Sequence, residues 1–365
     1  MRWFLNKIFG WSSVSRLMKV GKIMLFAISL LYVTVVVYQN VFGYKMLDTI
    51  NNVPSIESNN QQQRLLKHHM LNITGDIYSA YHVERTSVTA TPKPTTINLS
   101  DIFITVKTTK MYHDTRLALL IKTWFQLAKE QTFFFTDADD IFYQRKTNGH
   151  LVNTNCSMGH FRKALCCKMS VEYDTFLESG KKWFCHFDDD NYVNVHKLLD
   201  LLKDYSPTVD WYLGKPSIAS PLEIFIDNVE SKSMHKKISF VFATGGAGFC
   251  ISRALALKMM PIAGNGKFIN IGDKIGLPDD VTMGYIIEYL LNVPLTIIDT
   301  FHSHLEPMEF LRKDTFKDQV SFSYGQIKND KNILNIDGLD NISDPTRFYS
   351  LHCHLFPHLS SCSKS

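Results

Sequence analysis

Three consecutive aspartates, Asp188, Asp189 and Asp190, end the apolar, aromatic run Trp183–Phe187 in the segment WFCHFDDDNYVNV. Adjacent carboxylates repel one another, and a bound divalent cation relieves that repulsion. Hard cations such as Mg²⁺ or Mn²⁺ prefer oxygen ligands and bridge to substrate phosphates. A short strand ending in carboxylates is also how an α/β sheet presents ligands at its carboxyl edge. A solvated acidic turn is the plainer alternative. Further along, Asp279 and Asp280 of LPDD open a helical pattern, where aspartates complement the positive helix end. His302 and His304 of TFHSHLE follow a strand-like run and offer a metal ligand. Gly245, Gly246 and Gly248 permit close backbone approach, although they do not form GxGxxG and a tight turn explains them equally well.

The elements that must position these groups alternate. DIFITVK (Asp101–Lys107) reads as a strand, followed by a helix with Leu117, Leu120, Ile121 and Trp124 at helical spacing. TFFF (Thr132–Phe135) is a second strand, capped by TDADD. A helix over Leu165–Ser179, closed by Gly180, leads into Trp183–Phe187, and another begins after Asn194. Ile238–Ser252 reads as a strand, a glycine turn and a helix start, Leu277–Leu291 as a helix, and Pro294–Asp299 as a strand. Strands alternating with helices predict a mixed central sheet flanked by helices. Two strands ending in carboxylates place acids along one sheet edge, as a nucleotide-diphosphate site requires. The segment Ser220–Lys237 is a candidate closing lid.

The chain has 365 residues, enough for a large core, and a net charge of +4 too weak to argue for nucleic acid. All seven cysteines follow residue 150, without the C-x-x-C spacing of a zinc site. Residues 1–22 are basic and carry no acid, as a cytoplasmic tail would. The apolar run Ile23–Tyr38, extended to 23–42, has the length of an uncleaved signal-anchor. The polar stretch 43–98 reads as a stem, and 99–365 as the lumenal domain. Asn72, Asn98, Asn155 and Asn341 open glycosylation sequons. An oxidising compartment with disulfides and one leftover thiol fits this layout.

VKTT (Val106–Thr109), Arg116, FTDADD, NTNCS, WFCHFDDDNYVN, TGGAGFCIS, LPDD with MGYI, FHSHLE and LHCHLFP occur in that order from about residue 100 to the end. In this the chain resembles the fringe family of inverting DDD-type β-1,3-glycosyltransferases. DDD and GGAG are shared widely among β-1,3-transferases, whereas WFCHFDDDNYVN, FHSHLE and LHCHLFP are particular to fringe. The resemblance implies a GT-A fold and transfer of N-acetylglucosamine from UDP-GlcNAc to O-linked fucose. The implied acceptors are EGF-like repeats of Notch-type receptors and ligands, and the implied place is the Golgi membrane, single-pass type II.

By the same resemblance Asp190 and His304 are the Mn²⁺ ligands, and Asp188 and Asp189 face the sugar nucleotide. Asp280 is the general base, and Thr108, Arg116 and Asp137 fall in segments that hold the nucleotide. The implied disulfides are Cys156–Cys167, Cys185–Cys250 and Cys353–Cys362, with Cys166 as the departure, since it adjoins Cys167 and either could be the partner of Cys156. Two alternatives stand beside this reading. One is another UDP-sugar β-1,3-transferase, such as a galactosyltransferase; the other is a non-catalytic, membrane-tethered binding protein with a transferase fold.

Overall fold

The computed structural model describes residues 96–227, 235–327, 330–340, 342–359 and 362. The expected tail, signal-anchor and nearly all of the stem lie outside these, as do Asn72 and Asn341. Among the described residues no helix is long and apolar enough to cross a membrane. Asn98 and Asn155 are exposed.

Strands β1 (Ile102–Lys107), β2 (Thr132–Thr136), β3 (Leu151–Asn153) and β4 (Trp183–Asp188) run parallel as neighbours in the order 4-1-2-3. β5 (Asn191–Val193) follows the aspartates and leaves the main sheet. β6 (Tyr212–Gly214) rejoins it, and β7 (Leu222–Asp227) and β8 (His235–Phe240) form a separate antiparallel hairpin. β7 and the first three residues of β8 fall in the Ser220–Lys237 segment. β9 (Phe249–Ser252) is antiparallel to both β4 and β6, and β10 (Leu295–Ile297) is parallel to β6. The central sheet therefore has seven strands in the order β10-β6-β9-β4-β1-β2-β3. One outcome differs from the sequence pattern: Phe249–Ser252 is an internal strand rather than the start of a helix. Four apolar or small residues beside the glycine turn suit either state, and pairing with both β4 and β6 decides it.

Helices pack on the two faces. They are α1 (Ala118–Lys122), α2 (Ile141–Lys146), α3 (Arg162–Ser179) and α4 (Val195–Lys203), then α5 (Arg253–Ala263), α6 (Lys267–Ile275), α7 (Asp279–Gly284) and α8 (Phe348–Leu355). Their ends follow local chemistry. The Asn194 side chain accepts from the Lys197 N–H at the start of α4, and Ser252 from the Leu255 N–H at the start of α5. Gly180 closes α3 at φ +67°, a left-handed position that glycine adopts without strain.

Side-chain alternation gives the sheet two cores. Ile102, Ile104 and Val106 of β1 join Trp183, Cys185 and Phe187 of β4 in one, packed with Leu117, Leu120, Trp124 and Leu198. Phe103 and Phe184 turn to the other face and meet Met169, Tyr173 and Phe176 of α3. With both faces covered, the central strands are apolar almost without interruption. Each fully buried large side chain contributes about 1.5–3 kcal/mol. Cys185 and Cys250 are register partners in β4 and β9 and are disulfide-bonded, as are Cys156–Cys167 and Cys353–Cys362. Cys166 is the free, buried thiol.

Gly248 is the tightest joint between the glycine turn and the sheet. It sits at φ +85°, and a Cβ there would press into the Phe187 ring. Gly248→Ala should lower unfolding stability by about 2–4 kcal/mol, through strain and overpacking together. Urea denaturation measures this, and an unchanged midpoint would contradict the packing argument.

Candidate active site

Period-two alternation and strand register set the first layer of the site. In the β1–β4 ladder Thr105 lies opposite His186, and Lys107 lies opposite Asp188. All four face α3, because the residues between them fill the opposite core. Glu172 of α3 reaches into this stack. Its Oε2 accepts from Thr105 Oγ1 at 2.6 Å and lies 2.6 Å from His186 Nδ1, with every partner fully buried. Burial disfavours a charge on His186, but Glu172 overrides it and raises the imidazole pKa to about 9. Lys107 Nζ lies 3.1 Å from Asp188 Oδ1 and donates to Asp279 Oδ2 at 2.6 Å. Burial also disfavours this ammonium, yet Asp188 and Asp279 hold its pKa well above the usual lysine value. Conversely, Lys107 and His186 hold Asp188 far below the ordinary carboxylate range against the cost of burial.

The three aspartates then diverge. Asp189 points back into the protein, accepting from Thr108 Oγ1 at 2.8 Å and from Arg116 Nη1 at 2.7 Å. The Arg116 guanidinium also stacks 4.0 Å over the Tyr112 ring. Asp190 shares the same guanidinium more distantly. Its Oδ2 is 3.5 Å from Arg116 Nη1 and 3.8 Å from His304 Nδ1, and its buried Oδ1 has no hydrogen-bond partner. Burial and the charges of Asp188 and Asp189 push the Asp190 carboxyl well above its ordinary pKa. A cation would be welcome there.

His304 Nδ1 is likewise buried without a hydrogen-bond partner, and burial holds the ring below the ordinary histidine pKa, in its neutral, ligating form. His302 plays a different part: its Nε2 bonds Gln319 Oε1 at 2.9 Å and its Nδ1 lies 3.2 Å from Glu306. Among the described residues no group of three or more His, Cys, Asp or Glu side chains could hold a metal ion. Two protein ligands suit a cation that takes its remaining oxygens from phosphates and water. The donor set of Asp190 and His304 fits Mn²⁺ in that sense.

Lys107, Thr108, Thr109, Tyr112, Arg116, Asp188, Asp189, Asp190, His304 and Tyr324 line one cavity of about 330 Å³. Asp137 is not on its wall. Its carboxylate is buried and saturated by Thr109 Oγ1, the Lys110 N–H and Lys168 Nζ, and Lys168 ties it to the Thr108 carbonyl at 2.7 Å. Asp280 stands behind the glycine turn, where Oδ2 accepts from the Gly245 N–H at 3.2 Å and Oδ1 from the Val281 N–H at 2.8 Å. Burial first, and the Asp279 charge second, push the Asp280 carboxyl up to about 6. Cβ atoms on this turn would fill the space between the two groups. At Gly245 one would lie 3.5 Å from Asp280 Cβ, and at Gly246 one would lie 3.2 Å from His304 Nδ1. Of the two, only the Gly246 approach to His304 is tighter than an ordinary contact, so that is where the turn needs glycine.

Lys107, Glu172, His186 and Asn191 escaped the sequence reading. Asn191 accepts from the Asp188 N–H at 2.9 Å and donates to the Gly246 carbonyl at 2.8 Å, joining the aspartate turn to the glycine turn. A lysine ending an apolar strand and a histidine inside another were the available signals. Nothing local distinguishes Glu172.

Three aspartates converging on a cavity at the carboxyl edge of a mixed sheet, with Asp280 tuned to about 6 behind the glycine turn rather than on the cavity wall, are the equipment of a group-transfer enzyme. Comparison with known proteins makes that class glycosyltransferase, which implies a nucleotide-sugar donor. The family model described as Fringe-like matches residues 97–359, and the chain belongs to the fringe family. It is 72% identical over 276 residues to the Fringe glycosyltransferase of Drosophila melanogaster, covering 76% of this chain and 67% of that protein. Against the β-1,3-N-acetylglucosaminyltransferase radical fringe of Gallus gallus identity is 53%, covering 73% of this chain and 72% of that one. Against the lunatic fringe of Homo sapiens it is 51%, covering 73% and 69%. Among solved structures, mouse xyloside xylosyltransferase 1 aligns with 63% of this chain and 99% of its own, at 9% identity and a TM-score of 0.36.

The His186–Glu172 pair makes stability depend on pH. His186 has its pKa raised to about 9 by folding, so its contribution is fully present below about 6.5 and is lost as pH rises through 9. Glu172→Gln should remove that contribution, on the order of 3 kcal/mol at most. Denaturation at about pH 6 and about pH 9.5 tests it. The native protein should weaken more between these points than the variant, and parallel behaviour would count against the charged pair.

Proposed function

We propose that the protein transfers N-acetylglucosamine from UDP-GlcNAc in β-1,3 linkage to O-linked fucose on EGF-like repeats, as in Notch-type receptors and ligands. The observation that carries the mechanism is the placement of Asp280 and the Asp190–His304 pair on opposite sides of Gly245–Gly246. The names of the fringe relatives support the sugar and the linkage. The acceptor rests on the family resemblance alone. A GT-A fold accords with the mixed sheet and its acidic carboxyl edge.

In this reading the cavity binds the nucleotide-sugar, with Thr108 and Arg116 fixing Asp189 so that its carboxylate keeps one orientation. When bound, Mn²⁺ held by Asp190 and His304 would offset the charge developing on the departing diphosphate. Asp280 accepts the proton of the fucose 3-hydroxyl as that oxygen bonds to the anomeric carbon. The bond from that carbon to the diphosphate oxygen breaks on the opposite face. A single displacement turns the α-linked donor into a β product, and no covalent enzyme intermediate forms. A pKa of about 6 leaves Asp280 ionised near neutrality while keeping it basic enough to take the proton. In this reading the apolar run 23–42 serves as a single signal-anchor, which would hold the domain on the lumenal side of a membrane, and the family resemblance makes that membrane the Golgi's.

A donor screen tests the activity. Purified protein with Mn²⁺ should transfer from UDP-GlcNAc to an O-fucosylated EGF repeat and not to the unfucosylated repeat. Removing the metal with EDTA should stop transfer. Preference for UDP-galactose would replace the reading with a galactosyltransferase.

A separate expectation concerns the base. The plot of kcat/KM against pH should fall below about 6, where Asp280 takes up its proton. Asp280→Asn should cost about 10²–10⁴ in kcat while UDP binding with Mn²⁺ stays close to that of the native protein. A variant that turns over at the native rate would remove Asp280 from this role.

A further inference from the structure

Lys107 is the last residue of β1, and its ammonium joins parts of the chain that are distant in sequence. It donates to Asp279 Oδ2 at 2.6 Å, across 172 positions of sequence, and lies 3.1 Å from Asp188 Oδ1. Asp279 is the first residue of α7, and Asp280 is the second. The lysine side chain is about nine-tenths buried, as is that of Asp279, so solvent does little to screen the bridge. It also lines the cavity next to the three aspartates.

We propose that Lys107 is a positioning residue for the transfer reaction: a two-ended ion bridge that fixes the helix bearing Asp280 against the donor-binding edge of the sheet. The proposal rests on the reading of Asp280 as the base. Register places the lysine opposite Asp188 whatever α7 does, so the anchor belongs to the sheet and the helix is the part being held. The same charge has an electrostatic consequence. The groups facing Lys107 are Asp188 and His186 from β4, Asp279 from α7 and Glu172 from α3. Asp280 is faced by Asp279 and Lys107, by the N–H groups of Gly245 and Val281, and by Tyr212 of β6. Asp279 raises the proton affinity of Asp280, and Lys107 lowers it. Two substitutions at the bridge therefore act on the base in opposite directions.

The experiment measures kcat, donor KM and the pH dependence of kcat/KM for Lys107→Met, Lys107→Arg, Asp279→Asn and the Lys107→Met/Asp279→Asn double variant. Lys107→Met should lower kcat by about 10- to 100-fold, as expected for a misplaced base, with donor KM within about threefold of native. Its acidic limb should move to higher pH. Asp279→Asn should also lower kcat but move the limb to lower pH. The double variant should be no slower than the slower single one, because both remove the same bridge. Lys107→Arg, which keeps the charge, should leave the limb in place.

A rise in donor KM with kcat retained would overturn the proposal and make Lys107 a donor contact. Limbs unmoved in both single variants, with additive losses, would reduce the bridge to a purely structural one and also overturn it. Should Lys107→Met show no cooperative thermal unfolding, the limb of Asp279→Asn decides alone. Asp280→Asn in the same assay separates the two readings. Activity retained there sinks the base assignment, whereas the split between kcat and KM in Lys107→Met judges the tether by itself.

Discussion

Everything at this sheet edge is arranged around the cost of gathering carboxylates where water cannot reach them. Asp188, Asp189, Asp190, Asp279 and Asp280 converge there, each largely buried. Left alone, such a cluster would take up protons or force the chain apart. The protein answers with unequal partners. Lys107 bridges Asp188 and Asp279, and Arg116 with Thr108 satisfies Asp189. Asp190 and Asp280 are left with the least compensation. Burial raises the proton affinity of all three of Asp189, Asp190 and Asp280, and the proposed mechanism uses the latter two, one as a cation ligand and one as a base.

That inequality originates in backbone geometry. Because β1 and β4 are parallel and in register, Thr105, Lys107, His186 and Asp188 form one layer against α3. The chain then turns, and three adjacent aspartates meet different partners, Lys107 at Asp188, Arg116 and Thr108 at Asp189, and Arg116 and His304 at Asp190. Asn191 holds the turn by accepting from the Asp188 N–H, and it reaches the glycine turn through the Gly246 carbonyl. The glycine turn in turn packs against Phe187 at Gly248 and approaches His304 at Gly246. The aspartate turn, the loop bearing His304 and the glycine turn thus share one short chain of contacts. A displacement at any one of them is felt at the others.

The sequence disclosed the parts of this site that carry local patterns. Apolar runs ending in acids marked β2 and β4, Asn194 and Gly180 marked helix ends, and LPDD marked the start of α7. It did not disclose the strand at Phe249–Ser252, whose state is decided by two neighbours distant in sequence. It was equally silent on Glu172, one acid on a helix of mixed composition, because its meaning depends on which strand residues α3 covers. Asp137 shows the converse. The family resemblance puts it in a segment that holds the nucleotide, and nothing in its sequence neighbourhood signals that three hydrogen-bond donors enclose its carboxylate. Periodicity reports a residue's face, whereas partners across the sheet determine its charge and its reach.

His304 illustrates how a flexible-looking segment acquires a fixed ligand. The loop after β10 carries no long helix or strand, and a histidine on it would ordinarily sample many orientations. Here Asn332 donates to the carbonyls of His304 and Glu306, each at 2.9 Å. Glu306 is held by Lys215 at 2.7 Å and lies beside His302. The nearby Gly325 permits close passage of the chain past the His304 side chain. The backbone on both sides of the imidazole is therefore pinned, and only its rotamer remains free. With Asp190 Oδ1 and His304 Nδ1 both lacking hydrogen-bond partners, a cation would satisfy two buried atoms that the protein alone does not.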